Sequence, residues 1–432
     1  MKKFLALLLI LALALSCFAA CGGGEEGTVE GEGEGEEVSS ETFKVGAIYP
    51  LSGGNALLGN RCLQAVQIAV DYINEAGGIQ GRTVELVTAD APDATAATTE
   101  ASRLVDNEGV KVVFGSLASG NALAIAGVTD PAGVILVESG GIVDTLTDSG
   151  YQYVFRILDK GGLRGGTGAE YVATTVADTL GIAAADLKVA IVHEDSSYGL
   201  SVAVGAAEVL EEYGCQIVYE SEYAATTTDM TAMVLGIKEA QPDVLLSVCY
   251  VNDAILLVDT LNAQQAMPKV FMGTGAGTTD PAFASTVGAD VSDGMFCTDM
   301  PTNLPLSVFE PYGLDGVVES FRADWLGLSE NADLANVPIA AEAAFAGAYT
   351  FMNDILSQAA DLDDPDSIRE AAISVKLDMT TLGFGWDIGE DGQNYAASAN
   401  INQWQNLEVV TVAPELLKNG DAINVPLPYA HY

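Results

Sequence analysis

Three polar, glycine-rich loops contain the residues of this sequence whose types suit ligand binding. They cover residues 50–55, 115–121 and 138–142, and each follows an apolar run. In the second loop, Ser119 stands where the next helix is expected to begin, and the free N–H groups of a helix N-terminus favour a carboxylate. Each loop taken singly is interpreted as an ordinary turn, because any strand-to-helix turn uses Ser, Gly and Asn. Their coincidence at one sheet edge favours a binding site, to which the first loop would contribute Ser52 and Asn55.

Alternating apolar runs and amphipathic segments position these loops. The run at residues 44–49 precedes a helix whose one face carries Val66, Ala69, Val70 and Ile73,. Further strands are predicted at residues 83–88, 111–114, 133–137, 188–192, 217–219, 244–248, 270–272, 385–388 and 407–412. Further helices are predicted at residues 94–107, 122–129, 169–180, 201–213 and 340–359. Continuous apolar runs are typical of parallel strands buried on both faces, so the pattern predicts an α/β fold with doubly wound sheets.

The alternation occurs in two blocks and therefore predicts two Rossmann-like lobes. We expect residues 43–158 with about 298–380 to form lobe 1, and residues 159–297 with about 381–432 to form lobe 2. Ligands of open α/β sheets bind in the crevice beyond the carboxyl ends of the strands. The three polar loops follow such ends.

The N-terminus has the features of an export signal. Lys2 and Lys3 precede an apolar run at residues 4–15, which has signal-peptide length,. The sequence Phe-Ala-Ala-Cys that ends at Cys21 resembles a bacterial lipobox, which implies a signal peptide over residues 1–20 and a lipid anchor on Cys21. Lipidation at Cys17, or an ordinary secretory signal cut after residue 20, is the alternative.

Residues 21–42 consist mainly of Gly and Glu. A segment with so little to bury cannot offset its ordering entropy, so it is predicted to be a tether that like charges extend. The formal charge of the whole chain is −43, and it excludes nucleic acid and anionic lipid headgroups as partners, because both need a basic surface. About 390 residues remain after the tether, enough for two domains.

The inventory of reactive side chains argues against an enzyme. His193 follows an apolar strand, where a surface or hinge position is expected, and His431 is near the C-terminus. The sequence contains no Gly-x-Ser-x-Gly elbow, and the glycine cluster at residues 161–168 lacks a Walker lysine. The cysteines lack metal-ligand spacing. We expect buried free thiols at Cys62, Cys215, Cys249 and Cys297, and an extracytoplasmic disulfide among them is the alternative. No cofactor or metal is predicted.

Several phrases resemble the leucine/isoleucine/valine-binding family of ABC-transporter receptors. The most specific is INEAGGIQGR at residues 73–82, and others follow in family order at residues 44–54, 113–127, 151–159, 193–199, 271–283 and 384–394. The resemblance covers essentially all of the chain after the tether. It implies a type I periplasmic-binding fold, in which three hinge crossings join two lobes that clamp a ligand.

The resemblance also implies site residues. Ser119 matches the serine that grips the ligand carboxylate, Gly140 the carbonyl that meets its ammonium group, and Tyr198 the aromatic residue that covers the ligand. Tyr250 matches a second loop that faces the cleft. Ile142 stands where the family often has Ser or Thr. The backbone N–H of this position can still meet a ligand, but the side-chain hydroxyl is absent.

The family's acidic partner for the ligand ammonium falls at Gly275 in this chain. A buried ammonium without a carboxylate is costly. Either another acid replaces it or the ligand is not a standard α-amino acid. The candidate acids are Glu138, Asp253, Asp280 and Glu342.

The sequence therefore predicts an extracytoplasmic lipoprotein that binds a small polar solute. It would deliver an amino acid, or a related small carboxylate or amide, to the permease of an ABC transporter. One alternative is a ligand-sensing receptor lobe that acts with a membrane signalling partner. A hydrolase on a similar fold is a second alternative, which the missing nucleophile disfavours.

Overall fold

The computed structural model describes residues 42–432. The signal peptide predicted at residues 1–20, the lipid anchor at Cys21 and the tether at residues 21–42 lie outside the described residues, apart from Thr42. Within the described part of the chain, no helix is both long enough and apolar enough to cross a membrane.

The first sheet has five strands, all parallel, in the order β2-β1-β3-β4-β5. Its strands are β1 (Thr42–Tyr49), β2 (Thr83–Asp90), β3 (Val112–Gly115), β4 (Ile135–Glu138) and β5 (Val154–Arg156). The helices between them are α1 (Ala56–Glu75), α2 (Ala94–Arg103), α3 (Ser119–Thr129) and α4 (Thr145–Asp148). Apolar side chains cover both faces of the sheet, as the continuous apolar runs predict,.

The second sheet is built by the next block of the chain. Its first strands are β6 (Lys188–Glu194), β7 (Gln216–Tyr223), β8 (Val244–Val248), β9 (Val270–Thr274) and β10 (Phe296–Asp299). Two helices precede these strands, α5 (Gly161–Tyr171) and α6 (Ala177–Leu180). The helices between the strands are α7 (Ser197–Glu212), α8 (Thr231–Ala240), α9 (Val251–Ala263), α10 (Ala276–Thr279), α11 (Pro281–Val287) and α12 (Ala289–Ser292). These five strands are parallel, so the predicted α/β architecture is confirmed.

The last part of the chain serves both sheets. Helices α13 (Asp315–Leu326), α14 (Ile339–Thr350) and α15 (Pro365–Ser374) pack in the core of the first sheet. Strands β11 (Asn400–Gln405) and β12 (Glu408–Ala413) then extend the second sheet by antiparallel pairing, which gives the order β12-β11-β10-β9-β8-β6-β7. The chain therefore passes between the sheets three times, after β5, after β10 and before β11.

Several late elements differ from the sequence prediction, which gave no strand at β10 and no helix at α13 or α15. The strand predicted at residues 385–388 is wrong, because this segment forms only isolated bridges, from Trp386 to Leu377 and from Ile388 to Asn394. Trp386 is instead buried in the first core, and its Nε1 donates to the carbonyl of Ala372 at 2.8 Å. β11, with the polar sequence NINQWQ, gave no apolar signal although its residues are mostly buried.

Helices α5 and α7 pack through glycines. A Cβ on Gly165 would lie 2.0 Å from the carbonyl oxygen of Val202, and one on Gly205 would lie 2.2 Å from that of Gly162. Both neighbours are backbone atoms, which cannot rotate away. The glycine cluster at residues 161–168 is therefore a helix-packing surface, and it fixes where α5 begins.

We expect Gly165→Ala to lower the free energy of unfolding by about 1–3 kcal/mol, because the added methyl overpacks a backbone contact. The measurement is chemical denaturation followed by circular dichroism. The control is Gly127→Ala, also in a helix, where a Cβ has no neighbour within 4 Å. That variant should be neutral or stabilised by up to about 1 kcal/mol. Equal effects of the two substitutions would contradict the packing argument.

Candidate ligand-binding site

A small cavity of about 40 Å³ lies between the two lobes. Its walls come from segments that follow the carboxyl ends of strands in both sheets, where ligands of open α/β sheets bind. The first lobe contributes Leu58, Leu117, Ser139, Gly140, Ile142 and Ala340. The second lobe and the crossing after β10 contribute Arg164, Tyr198, Tyr250, Gly275, Gly277 and Met300.

The structure brings five of the eight predicted ligand-binding residues together on this cavity. They are Gly140, Ile142, Tyr198, Tyr250 and Gly275. Ser52 and Asn55 do not line it. Ser52 is exposed, and its backbone N–H donates to Asp90 Oδ1 at 3.1 Å, so the loop at residues 50–55 is held by a turn-type contact.

Ser119 is buried behind the cavity wall. Its Oγ accepts the backbone N–H groups of Ile142 at 3.1 Å and Val143 at 3.2 Å. The Ile142 N–H that the resemblance assigns to the ligand is therefore bound to Ser119. In this geometry, Ser119 positions the loop at residues 140–143.

Glu138 organises the same loop from the end of β4. Its Oε1 accepts three backbone N–H groups, from Ser116 at 2.7 Å, Gly140 at 2.8 Å and Gly141 at 2.6 Å. Burial raises the pKa of this carboxyl, and the three N–H donors oppose the increase,. Glu138 does not line the cavity, although its Oε2 has no hydrogen-bond partner among residues 42–432.

Tyr198 occupies the space where a side chain at position 275 would lie. Its hydroxyl donates to the carbonyl of Thr274 at 2.7 Å. A Cβ on Gly275 would lie 2.2 Å from the hydroxyl oxygen of Tyr198. Gly275 also has a φ of +78°, which disfavours any side chain,. The ring of Tyr250 lies 5.3 Å from that of Tyr198, between centroids. The position of the family's acid is thus filled by an aromatic residue.

The other three candidate acids are paired with protein donors away from the cavity. Asp253 accepts the Tyr223 hydroxyl at 2.5 Å and the Tyr250 N–H at 3.1 Å. Asp280 forms an ion pair with Arg61. Glu342 accepts from Nε and Nη2 of Arg322 at 3.1 and 2.9 Å and from Thr302 Oγ1 at 3.1 Å. None of them lines the cavity.

Arg164 is a cavity residue that the sequence reasoning missed. Its Nε donates to Asp159 Oδ2 at 3.0 Å, its Nη2 to Asp159 Oδ1, and its Nη1 to Asp299 Oδ1 at 2.6 Å. Burial lowers the pKa of Arg164, but the attraction of the two carboxylates outweighs it and the pKa is raised. Burial raises the pKa of Asp299, and Arg164 opposes this. The available signal was an arginine in a segment otherwise rich in glycine.

The arrangement suits binding better than covalent chemistry. Apolar and aromatic side chains form most of the wall, and a few polar groups converge on it, which is typical of small-molecule sites,. Within residues 42–432, no cluster of three His, Cys, Asp or Glu side chains could hold a metal ion. His193 is buried at the end of β6, with Nδ1 2.9 Å from the carbonyl of Glu194, so of the two expected positions, surface or hinge, the surface position is wrong. The four described cysteines are free and buried.

Because Tyr198 and Gly275 compete for one space, we expect their substitutions to be coupled. Gly275→Ala should destabilise the fold by about 1 kcal/mol from its backbone conformation alone, and by more from the displaced Tyr198 hydroxyl. Tyr198→Phe removes that oxygen, so the double variant should lose less stability than the sum of the single losses. A double-mutant cycle by chemical denaturation measures this coupling. Strict additivity would contradict the proposed competition.

Comparison with known proteins agrees with this geometry. The family model described as periplasmic binding protein matches residues 42–406. The chain is 33% identical over 376 residues to Leu/Ile/Val-binding protein homolog 8 of Brucella abortus, covering 86% of this chain and 90% of that relative.

Two solved structures share the fold. The branched-chain amino acid transporter substrate-binding protein of Streptococcus pneumoniae, in complex with isoleucine, has a TM-score of 0.70 and 22% identity, and the alignment covers 86% of this chain and 100% of that one. The solute-binding protein of an ABC transporter of R. palustris, in complex with 4-hydroxybenzoate, has a TM-score of 0.70 and 19% identity, over 90% of this chain and 100% of that one. On the match over residues 42–406 and the curated relative, the chain belongs to the Leu/Ile/Val-binding family of periplasmic binding proteins.

Proposed function

We propose that this protein captures a small polar solute outside the cytoplasmic membrane and delivers it to the permease of an ABC transporter. The observation that carries the proposal is the cavity between the lobes, which takes residues from both of them. A ligand that contacts both lobes favours the closed form over the open form, which is the thermodynamic basis of hinge closure. The proposed ligand class is an amino acid or a related small carboxylate or amide, and the related proteins with bound isoleucine and 4-hydroxybenzoate support its amino acid and carboxylate members.

The crossings between the lobes support a hinge. Arg156, at the end of β5, donates from Nε to Gln393 Oε1 at 2.8 Å, and its backbone N–H donates to the carbonyl of Gly392 at 2.9 Å. Asn394 Nδ2 donates to the carbonyl of Ile157 at 3.0 Å. The first and third crossings therefore run side by side as one connected unit, about which the lobes would turn.

The anchoring of the protein is part of the proposal. The lipobox-like sequence that ends at Cys21 supports a diacylglycerol-modified cysteine, and the Gly/Glu segment after it supports a tether that holds the lobes off the membrane,. We propose no enzymatic activity, since the cavity wall offers binding groups and neither a nucleophile paired with a base nor paired free carboxylates.

We expect the purified full chain in detergent to melt at a higher temperature when its solute is present. A ligand at one hundred times its dissociation constant stabilises the folded state by about 2.7 kcal/mol. The measurement is a thermal-shift screen of amino acids, small carboxylates, amides and sugars.

The control for this screen is Ala340→Leu, which adds three carbon atoms to the cavity wall. It should abolish the shift, whereas Ala185→Leu, in an exposed turn of lobe 2, should leave it intact. If the ligand still raises the melting temperature of Ala340→Leu, the ligand binds outside this cavity. If only sugars raise the melting temperature, the proposed ligand class is wrong.

Closure of the lobes should depend on contacts that bridge them away from the ligand. Arg61 on α1 forms an ion pair with Asp280, which precedes α11, and both side chains are buried. Asn252 Nδ2 also donates to the carbonyl of Gly54 at 3.1 Å. These contacts exist only while the two lobes are together.

We expect the double variant Arg61→Met/Asp280→Asn to shift the apo protein towards the open form. Apparent affinity falls in proportion to the fraction of closed, competent protein, so ligand binding should weaken. Small-angle scattering should show a larger radius of gyration, and calorimetry a higher dissociation constant. The control is Lys376→Met/Asp387→Asn, which removes an exposed ion pair within the first lobe. If both double variants behave like the parent protein, the Arg61–Asp280 pair does not support closure.

A further inference from the structure

We propose that the cavity selects a small ligand without charged groups, whose carbonyl oxygen accepts a hydrogen bond from Arg164, over a free α-amino acid with its ammonium and carboxylate. This inference rests on the proposed function, because it specifies the ligand class of the same cavity. Four observations support it. They are the charges on the cavity wall, the two carboxylates that neutralise Arg164, the Tyr198 hydroxyl at the position expected for the ligand ammonium, and the apolar character of the remaining wall.

The first observation concerns which charges reach the wall. Arg164 is the one charged residue among those that line the cavity, and no carboxylate lines it in the described part of the chain. A ligand ammonium would therefore meet a guanidinium and aromatic hydroxyls without touching an anion. Leaving a buried charge unpaired costs several kcal/mol, so an ammonium is disfavoured there.

The second observation concerns the compensation of Arg164. Asp159 and Asp299 both pair with it, and both side chains are fully buried. Two carboxylates against one guanidinium leave this cluster with one net negative charge. A ligand carboxylate would add a second negative charge in a poorly solvated space, where like charges repel strongly. An uncharged carbonyl oxygen avoids this cost.

The same hydrogen bonds leave Arg164 with capacity for a ligand. A guanidinium has five N–H donors, and the two carboxylates accept three of them, one each from Nε, Nη1 and Nη2. One N–H on each terminal nitrogen remains. The pairing with Asp159 and Asp299 fixes the plane of the guanidinium. Because Arg164 lines the cavity, the proposed ligand carbonyl accepts from one of these remaining donors.

The third observation is that the ammonium position is filled from within the protein. The Tyr198 hydroxyl lies where a side chain at Gly275 would extend, and it is bound to the carbonyl of Thr274. Fourth, the rest of the wall includes Leu58, Leu117, Ile142 and Met300, which suit an apolar ligand body. An uncharged amide with a hydrocarbon tail satisfies both features.

The test uses compounds matched in shape. The full chain is titrated calorimetrically with 4-methylpentanamide, 4-methylpentanoate and leucine, and with the corresponding trios built on acetamide and on 3-phenylpropanamide. The expected result is that, in at least one trio, the amide binds and does so at least ten-fold more tightly than its acid and amino acid. If an acid or amino acid binds and no amide binds more tightly, the inference is overturned while the proposed function stands. If no member of any trio binds to the folded protein, both are overturned.

The role of Arg164 is tested with Arg164→Gln/Asp299→Asn, which keeps one net negative charge in the cluster. The affinity for the amide should fall at least ten-fold, and the ratio of amide affinity to acid affinity should become smaller. A purely structural role would lower all affinities by a common factor and leave that ratio unchanged, which would overturn the assignment. The matched control is Arg103→Gln/Glu100→Gln, an ion pair on α2 away from the cavity. It should change neither the affinity nor the ratio.

Discussion

The buried pairing of Arg164 with Asp159 and Asp299 is the interaction on which the binding site depends. The three residues come from separate parts of the chain: the first crossing, the first turn of α5 and the end of β10. Removing Arg164 would leave two buried carboxylates uncompensated, at a cost of several kcal/mol, and removing either aspartate would take a hydrogen-bonded partner from the guanidinium,. The cluster therefore ties the first crossing, the first turn of α5 and the end of β10 together beside the cavity that Arg164 lines. The glycine contacts between α5 and α7 bring Arg164 to this place, since α5 could not approach so closely with larger residues.

In the first lobe, hydrogen bonds from backbone N–H groups to two buried side chains hold the loops beside the cavity. Glu138 and Ser119 accept five backbone N–H groups from the loops after β3 and β4. Buried N–H groups without partners are costly, so these two side chains hold the loops in place. The consequence for the site is that N–H groups which could have met a ligand are already used. The polar character of the cavity comes mainly from the second lobe, through Arg164, Tyr198 and Tyr250.

Local signals in the sequence predicted the sheets and the cavity edge well, because apolar runs report burial directly. The prediction fails where apolar character does not report a buried strand. β11 is buried although its sequence is polar. The apolar segment around Trp386 forms no strand, and the Trp386 side chain is held by a hydrogen bond to the carbonyl of Ala372. Five cavity residues could be located through the family resemblance, yet the contact of Tyr198 with Gly275 joins positions 77 residues apart and has no local signature. Arg164 was hidden for the same reason, since its partner Asp299 lies 135 residues away.

The two kinds of buried ion pair would behave differently in the proposed hinge motion. Arg164 and its carboxylates lie at the second sheet and its crossings, so their pairing would stay intact on opening and the cavity would keep the same charge. Arg61 and Asp280 lie on opposite lobes, so opening exposes both to water, which solvates them at little cost,. An ion pair of this kind would favour the closed form and still allow release, because water solvates its charges in the open form. In the proposed mechanism, the ligand contributes the free-energy difference that favours the closed form, and the unchanged charges around Arg164 select which ligand binds.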